Sequence, residues 1–500
     1  MNKVVLINSP SHAGSPRVPL GLMYIASALE KEGYPTDIID IKSNKGIDEV
    51  INQIIARLKE IKPIAVGMGA LLSEEKELLK LSLLIKRELP NCKIIVGNVQ
   101  ASFYPQYFIF KGSPIDFIAL GEGELTFPKL LNCIKTKGNV DEVPGLAYLK
   151  KEKIIKTKEE FIKDLDEIPF PAYDKVDMKY YTKPNLYAIR GVPVASFYVF
   201  SSRGCNYRCN FCVNKNVFKR TVRFRDPKKV VDEMEYLVKN YNLDAIYFYD
   251  DTFTLKKSRV IEICDEIIKR NLKIIWGCET RVDLIWEEMV EKMAKAGCIQ
   301  IDFGFESGSQ KQLNAVLKDT TIEKTIRGYN ICKKYGIRTF TNLMINTPGE
   351  TEDDIQQTIK VVREINSNVY SINVCSPYPG SELYLQFQDK VKPDEFDKIK
   401  LRDDFNGFLE FTEKNFRLVN HNIPLKDVIK IFHNEFPVAL NYKLKFNRHY
   451  IKQIFLSLSF LINKHYMRSM LSSKRKSDYF QFYYNFVKNA ISSKASSVTY

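Results

Sequence analysis

The sequence predicts an α/β protein in three regions: an N-terminal doubly wound parallel sheet, a partial (β/α)6 TIM-type barrel, and a mostly helical, basic C-terminal region. Three observations carry this. Five short β-rich runs alternate with amphipathic stretches over residues 1–150, the alternation restarts and runs through six strands over 191–385, and beyond 385 it stops. At 500 residues the chain is also too long for one ordinary core.

In the first region "KVVLIN", "TDIIDI", "IAVGMG", "KIIVGN" and "DFIAL" read as strands, separated by helical patterns such as "LGLMYIASALEKEG". Ligands of such sheets sit beyond the carboxyl ends of strands. Gly67 and Gly69 fall there after the third strand, Gly97 after the fourth, and Gly121 and Gly123 after the fifth. Glycine lets backbone approach a ligand closely, and it also serves plain turns. Residues 151–190 read as hairpin and linker: "GLAYLKKEKIIKT" leads into "DLDEIPFPAYD", where Pro169 and Pro171 fix φ and stiffen an extended segment.

From 191 to 385, "SFYVFSS", "AIYFYDD", "IIWGCET", "IQIDFGFES", "TFTNLMIN" and "VYSINVC" form the barrel strands, with "DPKKVVDEMEYLVKNY" typical of the connections. Barrel chemistry gathers at strand carboxyl ends. Residues 386–500 are aromatic and basic, and no internal repeat or low-complexity segment occurs.

The composition, 45% apolar and 27% charged, is globular. "MNKVVLINSP" lacks a signal-peptide layout and no run reaches the length of a spanning helix, so a cytoplasmic location is expected. There the ten cysteines stay reduced, and a tight cluster among them points to metal binding or catalysis. Net charge is +15, most of it from residues 440–500, where eleven Lys or Arg face the single acid Asp478. In that tail "IFLSLSFLI" is flanked by Lys452, Lys464, Arg468, Lys474, Arg475 and Lys476 and followed by aromatics. Three readings compete: packing on the barrel, a peripheral contact with an anionic membrane surface, or a grip on nucleic acid, the last being the weakest.

"SSRGCNYRCNFC" places Cys205, Cys209 and Cys212 on the loop after the first barrel strand. Structural zinc closes four ligands, and the only histidines, at 12, 421, 433, 449 and 465, are distant in sequence. Three unligated core thiols are the other bland reading. A 4Fe-4S cube held by three thiolates instead leaves one iron open, so the missing fourth ligand becomes the functional feature.

Here the chain resembles the radical S-adenosylmethionine superfamily, whose hallmark Cys-x-x-x-Cys-x-aromatic-Cys stands as Cys205, Cys209, Phe211 and Cys212. The resemblance implies a 4Fe-4S cluster whose open iron chelates S-adenosylmethionine, and one-electron cleavage to a 5′-deoxyadenosyl radical. It implies cofactor contacts at other strand ends too: Asp250 and Asp251 in "YFYDD", Glu279 and Arg281 in "CETRVD", Glu306 and Ser307 in "FGFESGS". Helix capping by Asp251 or Thr252, and pairing of Arg281 with a glutamate, are the structural alternatives. In "MINTPGETED" relatives usually carry glycine where Asn346 stands, a change expected at the adenine site.

With "PRVPLGLMYIASALEKEGY", "LGEGELTF" and "DLDEIPFPAYD", residues 1–385 look like the cobalamin-binding-domain branch of the superfamily. The Asp-x-His-x-x-Gly motif that ligates cobalt elsewhere is absent; His12 lies on the first loop at the wrong spacing, and relatives in this branch often lack such a ligand. "GNVQASF" departs from the usual Gly-Gly-Pro-His-Ala, setting Asn98 and Gln100 where a corrin would rest. The implied function is cobalamin-dependent methylation of an unactivated carbon of a small or lipid-like molecule, fed by an external donor such as flavodoxin or ferredoxin. Radical cyclisation, rearrangement or oxidation is the rival within enzymes, and an iron-sulfur electron-transfer or binding protein the rival outside them. Methylthiolation fits less well, since Cys92 and Cys133 stand alone in the first domain.

Overall fold

The computed structural model describes residues 3–8, 18–41, 46–69, 75–387, 405–436 and 458–491. His12, Lys452 and the apolar residues up to 457 lie outside them. Two compact units emerge: 1–178 with 378–411, and 179–377 with 412–500.

The first unit is a seven-stranded sheet in the order β2-β1-β3-β4-β5-β6-β7. Strands β1 (Val4–Ile7), β2 (Thr36–Ile39), β3 (Ala65–Gly69), β4 (Lys93–Gly97) and β5 (Phe117–Ala119) run parallel. The hairpin β6 (Leu146–Lys150) and β7 (Lys153–Lys156) extends the sheet antiparallel. Helix Glu75–Glu88 shows why the faces separate: Leu78, Leu81 and Ile85 recur at helical spacing and are buried with Val66, Val96 and Ile118. The proline-rich stretch after the hairpin is pinned to helix Leu20–Lys31, with Ser27 Oγ donating to Phe170 O at 2.6 Å and Ala172 N to Met23 O at 3.1 Å.

In the second unit, β8 (Ser196–Val199), β11 (Ala245–Phe248), β12 (Ile275–Thr280), β13 (Cys298–Glu306), β14 (Arg338–Ile345) and β15 (Val369–Val374) form an all-parallel six-stranded sheet. A short antiparallel pair, β9 (Ser202–Arg203) and β10 (Arg223–Phe224), brackets the cysteine loop. Capping signals start the connecting helices: Asp226 accepts from Lys228 N, and Thr351 with Asp354 forms a capping box.

The described tail, helices Lys464–Ser472 and Lys476–Ile491, packs at the opposite end of this sheet, near the starts of β8 and β11. Tyr479 OH donates to Asp244 at 2.9 Å and accepts from Ala195 N at 2.8 Å, Ser473 Oγ donates to Asp244 at 2.8 Å, and Arg475 reaches Thr182 O and Tyr241 O. Among the described residues no helix is long and apolar enough to cross a membrane.

Candidate functional site

In the first unit a cavity of about 370 Å³ opens at the carboxyl ends of β1, β3, β4 and β5. Gly67, Gly69, Gly97, Gly121 and Gly123 all line it, for different reasons. A Cβ on Gly67 would meet Leu6 Cδ2 and Phe127 Cε1 at 2.6 Å, and one on Gly123 would meet Ile25 Cδ1 at 2.8 Å, so these two serve packing. At Gly69 and Gly97 a Cβ would find nothing closer than 3.9 and 3.7 Å, so their bareness keeps the cavity floor open. Gly121, at φ +70, makes the turn into helix Gly123–Thr136.

Asn98 lines the cavity, but its Oδ1 turns back to accept from Val99 N at 2.6 Å, capping a short helix; Gln100 is buried and does not line the cavity. The departures seen in sequence therefore leave the floor clear. Among the described lining residues there is no histidine, and Glu124 is the single charged one. A glycine-floored, mostly apolar cleft at strand ends fits a broad flat macrocycle such as a corrin.

The second unit's site starts with the loop holding the three cysteines. Gly204 has φ +92, and a Cβ there would stand 2.1 Å from Thr221 O, so only glycine fits. Asp250 is fully engaged in shaping the loop's start: it accepts from Ser201 N at 2.7 Å, from Ser201 Oγ at 2.5 Å and from Ser202 Oγ, while Arg259 donates to Ser201 O at 2.6 Å. Asp251 ties the loop's two ends, accepting from Gly204 N at 3.0 Å and from Asn214 Nδ2. Burial and the adjacent Asp250 push its pKa up to about 6. Thr252 Oγ1 lies 3.5 Å from Cys205 Sγ.

Cys212 N donates to Cys209 O at 3.2 Å, turning the last two thiols together, and Phe211 between them is half-buried. The far side of the loop is fastened by a forked ion pair, Arg208 to Asp319 at 2.8 and 2.9 Å, and by Asn210 Nδ2 on Ala315 O. Arg281, after β12, stacks 3.6 Å from the Tyr207 ring centroid, pairs with Asp283 and donates to Cys209 Sγ at 3.8 Å. Burial raises the Cys209 pKa against the opposing pull of Lys318 and Arg281, and pushes Cys212 up to about 11. Two fixed cations beside Cys209 favour a charged sulfur there.

Lys318 was not visible from sequence. It is buried and pairs with Glu306 at 2.7 Å. Burial, the largest influence, would lower its pKa, but the Glu306 carboxylate and the Cys209 sulfur together more than offset it and raise it. Glu306 ends β13 at a register shift with φ +63, and a Cβ on Gly304 would stand 2.7 Å from its Oε1, so Gly304 makes the room. Ser307 is committed internally, 3.0 Å from Thr358 Oγ1 and accepting from Ser309 N. Glu279, half-buried at the end of β12, makes no hydrogen bond to a described residue, and burial raises its pKa against the influence of Arg190.

Asn346 behaves differently from its expectation. Its φ of +62 is a conformation that favours glycine, but its side chain turns away to bond Cys375 O at 2.8 Å, Phe416 O at 2.9 Å and Leu418 N at 3.1 Å. It stitches β14 to the segment after 415 instead of lining a ligand site.

Among the described residues no trio of His, Cys, Asp or Glu converges as a ready mononuclear metal site. A cube takes one thiolate per iron, which three cysteines on one loop can supply.

Residues 199–362 match the radical SAM superfamily and residues 11–131 the B12 binding domain. The chain is 30% identical over 391 residues to an uncharacterised methyltransferase of Pyrococcus horikoshii, covering 76% of this chain and 82% of that one. It is 31% identical over 410 residues to an anaerobic magnesium-protoporphyrin IX monomethyl ester cyclase of Rubrivivax gelatinosus, covering 79% and 72%. In fold it resembles the radical S-adenosylmethionine methyltransferase TsrM of Kitasatospora setae, with a TM-score of 0.65, 19% identity and coverage of 78% and 76%.

Proposed function

The chain belongs to the radical S-adenosylmethionine superfamily, in the branch with a cobalamin-binding domain, and we propose that it methylates an unactivated carbon of a small or lipid-like molecule. The observation carrying this is the pairing, in one chain, of a glycine-floored cleft at strand ends with a three-cysteine loop backed by fixed cations. When bound, the cofactors supply an electron to split S-adenosylmethionine, a 5′-deoxyadenosyl radical to take hydrogen from the substrate, and a methyl group on cobalamin.

The chain's residues bind and position. Cys205, Cys209 and Cys212 would hold the cluster as thiolates, and Arg281, which donates toward the Cys209 sulfur, would stabilise its charge. Asp250 and Asp251 fix the loop from behind through Ser201, Ser202, Gly204 and Asn214. Glu279, without a hydrogen-bond partner among the described residues, is the acceptor offered to the hydroxyl or ammonium groups of S-adenosylmethionine. Gly69 and Gly97 keep the corrin floor bare. An external one-electron donor such as flavodoxin or ferredoxin and a C-terminal region touching a membrane surface complete the reading.

Anaerobic incubation of the reconstituted protein with dithionite and S-adenosylmethionine tests it: 5′-deoxyadenosine should form, and none should form when the three cysteines are alanine. An intact cluster that yields no 5′-deoxyadenosine would overturn the proposal. The likeness to the Rubrivivax cyclase supports a second reading, radical cyclisation without methyl transfer. That reading gains if 5′-deoxyadenosine forms while no methyl group ever reaches the corrin.

A further inference from the structure

The described tail has two unlike faces. Its inner face is fastened to the barrel by Tyr466, Ser473, Arg475 and Tyr479. Its outer face is apolar. Of fourteen exposed large hydrophobic side chains among the described residues, eight fall between Leu458 and Tyr484, so they form a cluster and not the usual scatter. Ile462 is 86%, Phe480 75% and Leu471 71% exposed, values that no packing role among the described residues explains.

Helical spacing places them in stripes. On helix Lys464–Ser472, Met467 and Leu471 are four apart and exposed, flanked by exposed Lys464 and Arg468, while Tyr466 and Met470 face the barrel. On helix Lys476–Ile491, Lys476, Phe480 and Tyr484 continue the pattern outward while Tyr479 is buried.

Beside the stripes lies an open groove of about 630 Å³ between helix Lys464–Ser472 and the barrel helices Lys257–Lys269 and Glu287–Lys295. Ile268, Leu272 and Leu471 form its apolar wall, and Lys273, Lys295 and Arg468 supply cations. Lys295 is held by Glu291 at 2.6 Å. The side chains of Lys273, Lys464, Arg468, Lys474 and Lys476 have neither ion pair nor hydrogen bond among the described residues. Unpaired cations interleaved with exposed aliphatic and aromatic side chains match the headgroup layer of an anionic bilayer: phosphate for the cations, acyl and glycerol carbons for the apolar stripe. A nucleic-acid groove would not require Ile462 and Leu471 bare to solvent, and a partner protein would not select for so one-sided a charge.

We propose that this face docks the protein on an anionic phospholipid bilayer, with lipid phosphates seated along the groove between Lys273 and Arg468. The inference concerns the face itself and stands whether or not the chain methylates anything. The experiment is co-sedimentation of the full-length protein with phosphatidylcholine vesicles, with and without phosphatidylglycerol. Binding is expected only with the anionic vesicles at about 0.1 M salt and should weaken strongly near 1 M. Lys464→Ala, Arg468→Ala and Lys474→Ala together should lower the partition about a hundredfold, at roughly fivefold per cation. Ile462→Ser with Leu471→Ser should lower it while keeping the salt dependence. All these side chains are exposed, so thermal midpoint and cluster absorbance should match the parent, which separates this test from that of the catalytic reading. No vesicle binding, equal binding to both vesicle types, an unchanged partition in the alanine variant, or a dimer or duplex-DNA complex formed in place of vesicle binding would each overturn the proposal.

Discussion

The two strand-end sites are built on opposite principles. The cleft of the first unit is shaped by absence: its described lining has six glycines, apolar walls and a single charged residue, Glu124. The rim of the second unit is crowded with charge, and nearly all of it is already paired: Asp250 with Ser201 and Ser202, Asp251 with Gly204 and Asn214, Arg281 with Asp283, Lys318 with Glu306. A large, weakly charged macrocycle is selected by shape, while a cluster and a charged cofactor need a fixed field. Substitutions should therefore fail differently in the two places.

The largest effect belongs to the cysteines. Replacing Cys205, Cys209 and Cys212 by Ala should abolish the brown 4Fe-4S absorbance while corrin binding to the first unit persists; iron retained at the parent level would break the distinction. Next comes Lys318→Met, which strands a buried Glu306. Unfolding in denaturant should show a loss of about 3 to 5 kcal/mol. A neutral result would mean that the pair does not organise the rim.

In the cleft the contrast is between two glycines. Gly67→Ala forces a methyl group against Leu6 and Phe127 and should cost about 1 to 3 kcal/mol of stability. Gly97→Leu meets only ordinary contacts at its Cβ, so stability should hold while corrin retention through gel filtration is lost. If Gly97→Leu retained corrin, shape selection at that floor would be refuted. The smallest effect is Glu279→Gln, which leaves every described hydrogen bond in place. S-adenosylmethionine affinity should fall about ten- to a hundred-fold, the worth of one charge-assisted bond of roughly 1.5 to 3 kcal/mol. Equal affinity in calorimetry would move the acceptor role to another strand end.

Strand order and the cysteine loop were legible because their signals are periodic or tightly spaced: period-two apolar runs, and three thiols within eight residues. Side-chain direction was not. Asp250 and Asp251 are adjacent, and nothing in "YFYDD" says that both carboxylates point back into the loop. Ser307 likewise turns to Thr358. Lys318 sits in an irregular stretch twelve residues after its partner, with no motif to mark it. At Asn346 the sequence raised the question of an unusual residue, but the answer depended on a φ of +62 and on a segment seventy residues away.

The central claim is that one chain uses a cluster and a corrin to move a methyl group, and methyl-labelled S-adenosylmethionine tests it most directly. Reconstituted protein carrying reduced cobalamin should incorporate the labelled methyl group into bound methylcobalamin, read by mass, and should also release 5′-deoxyadenosine under the same reducing conditions. A corrin that stays unlabelled while 5′-deoxyadenosine accumulates would contradict methyl transfer and leave the radical fold in service of another reaction.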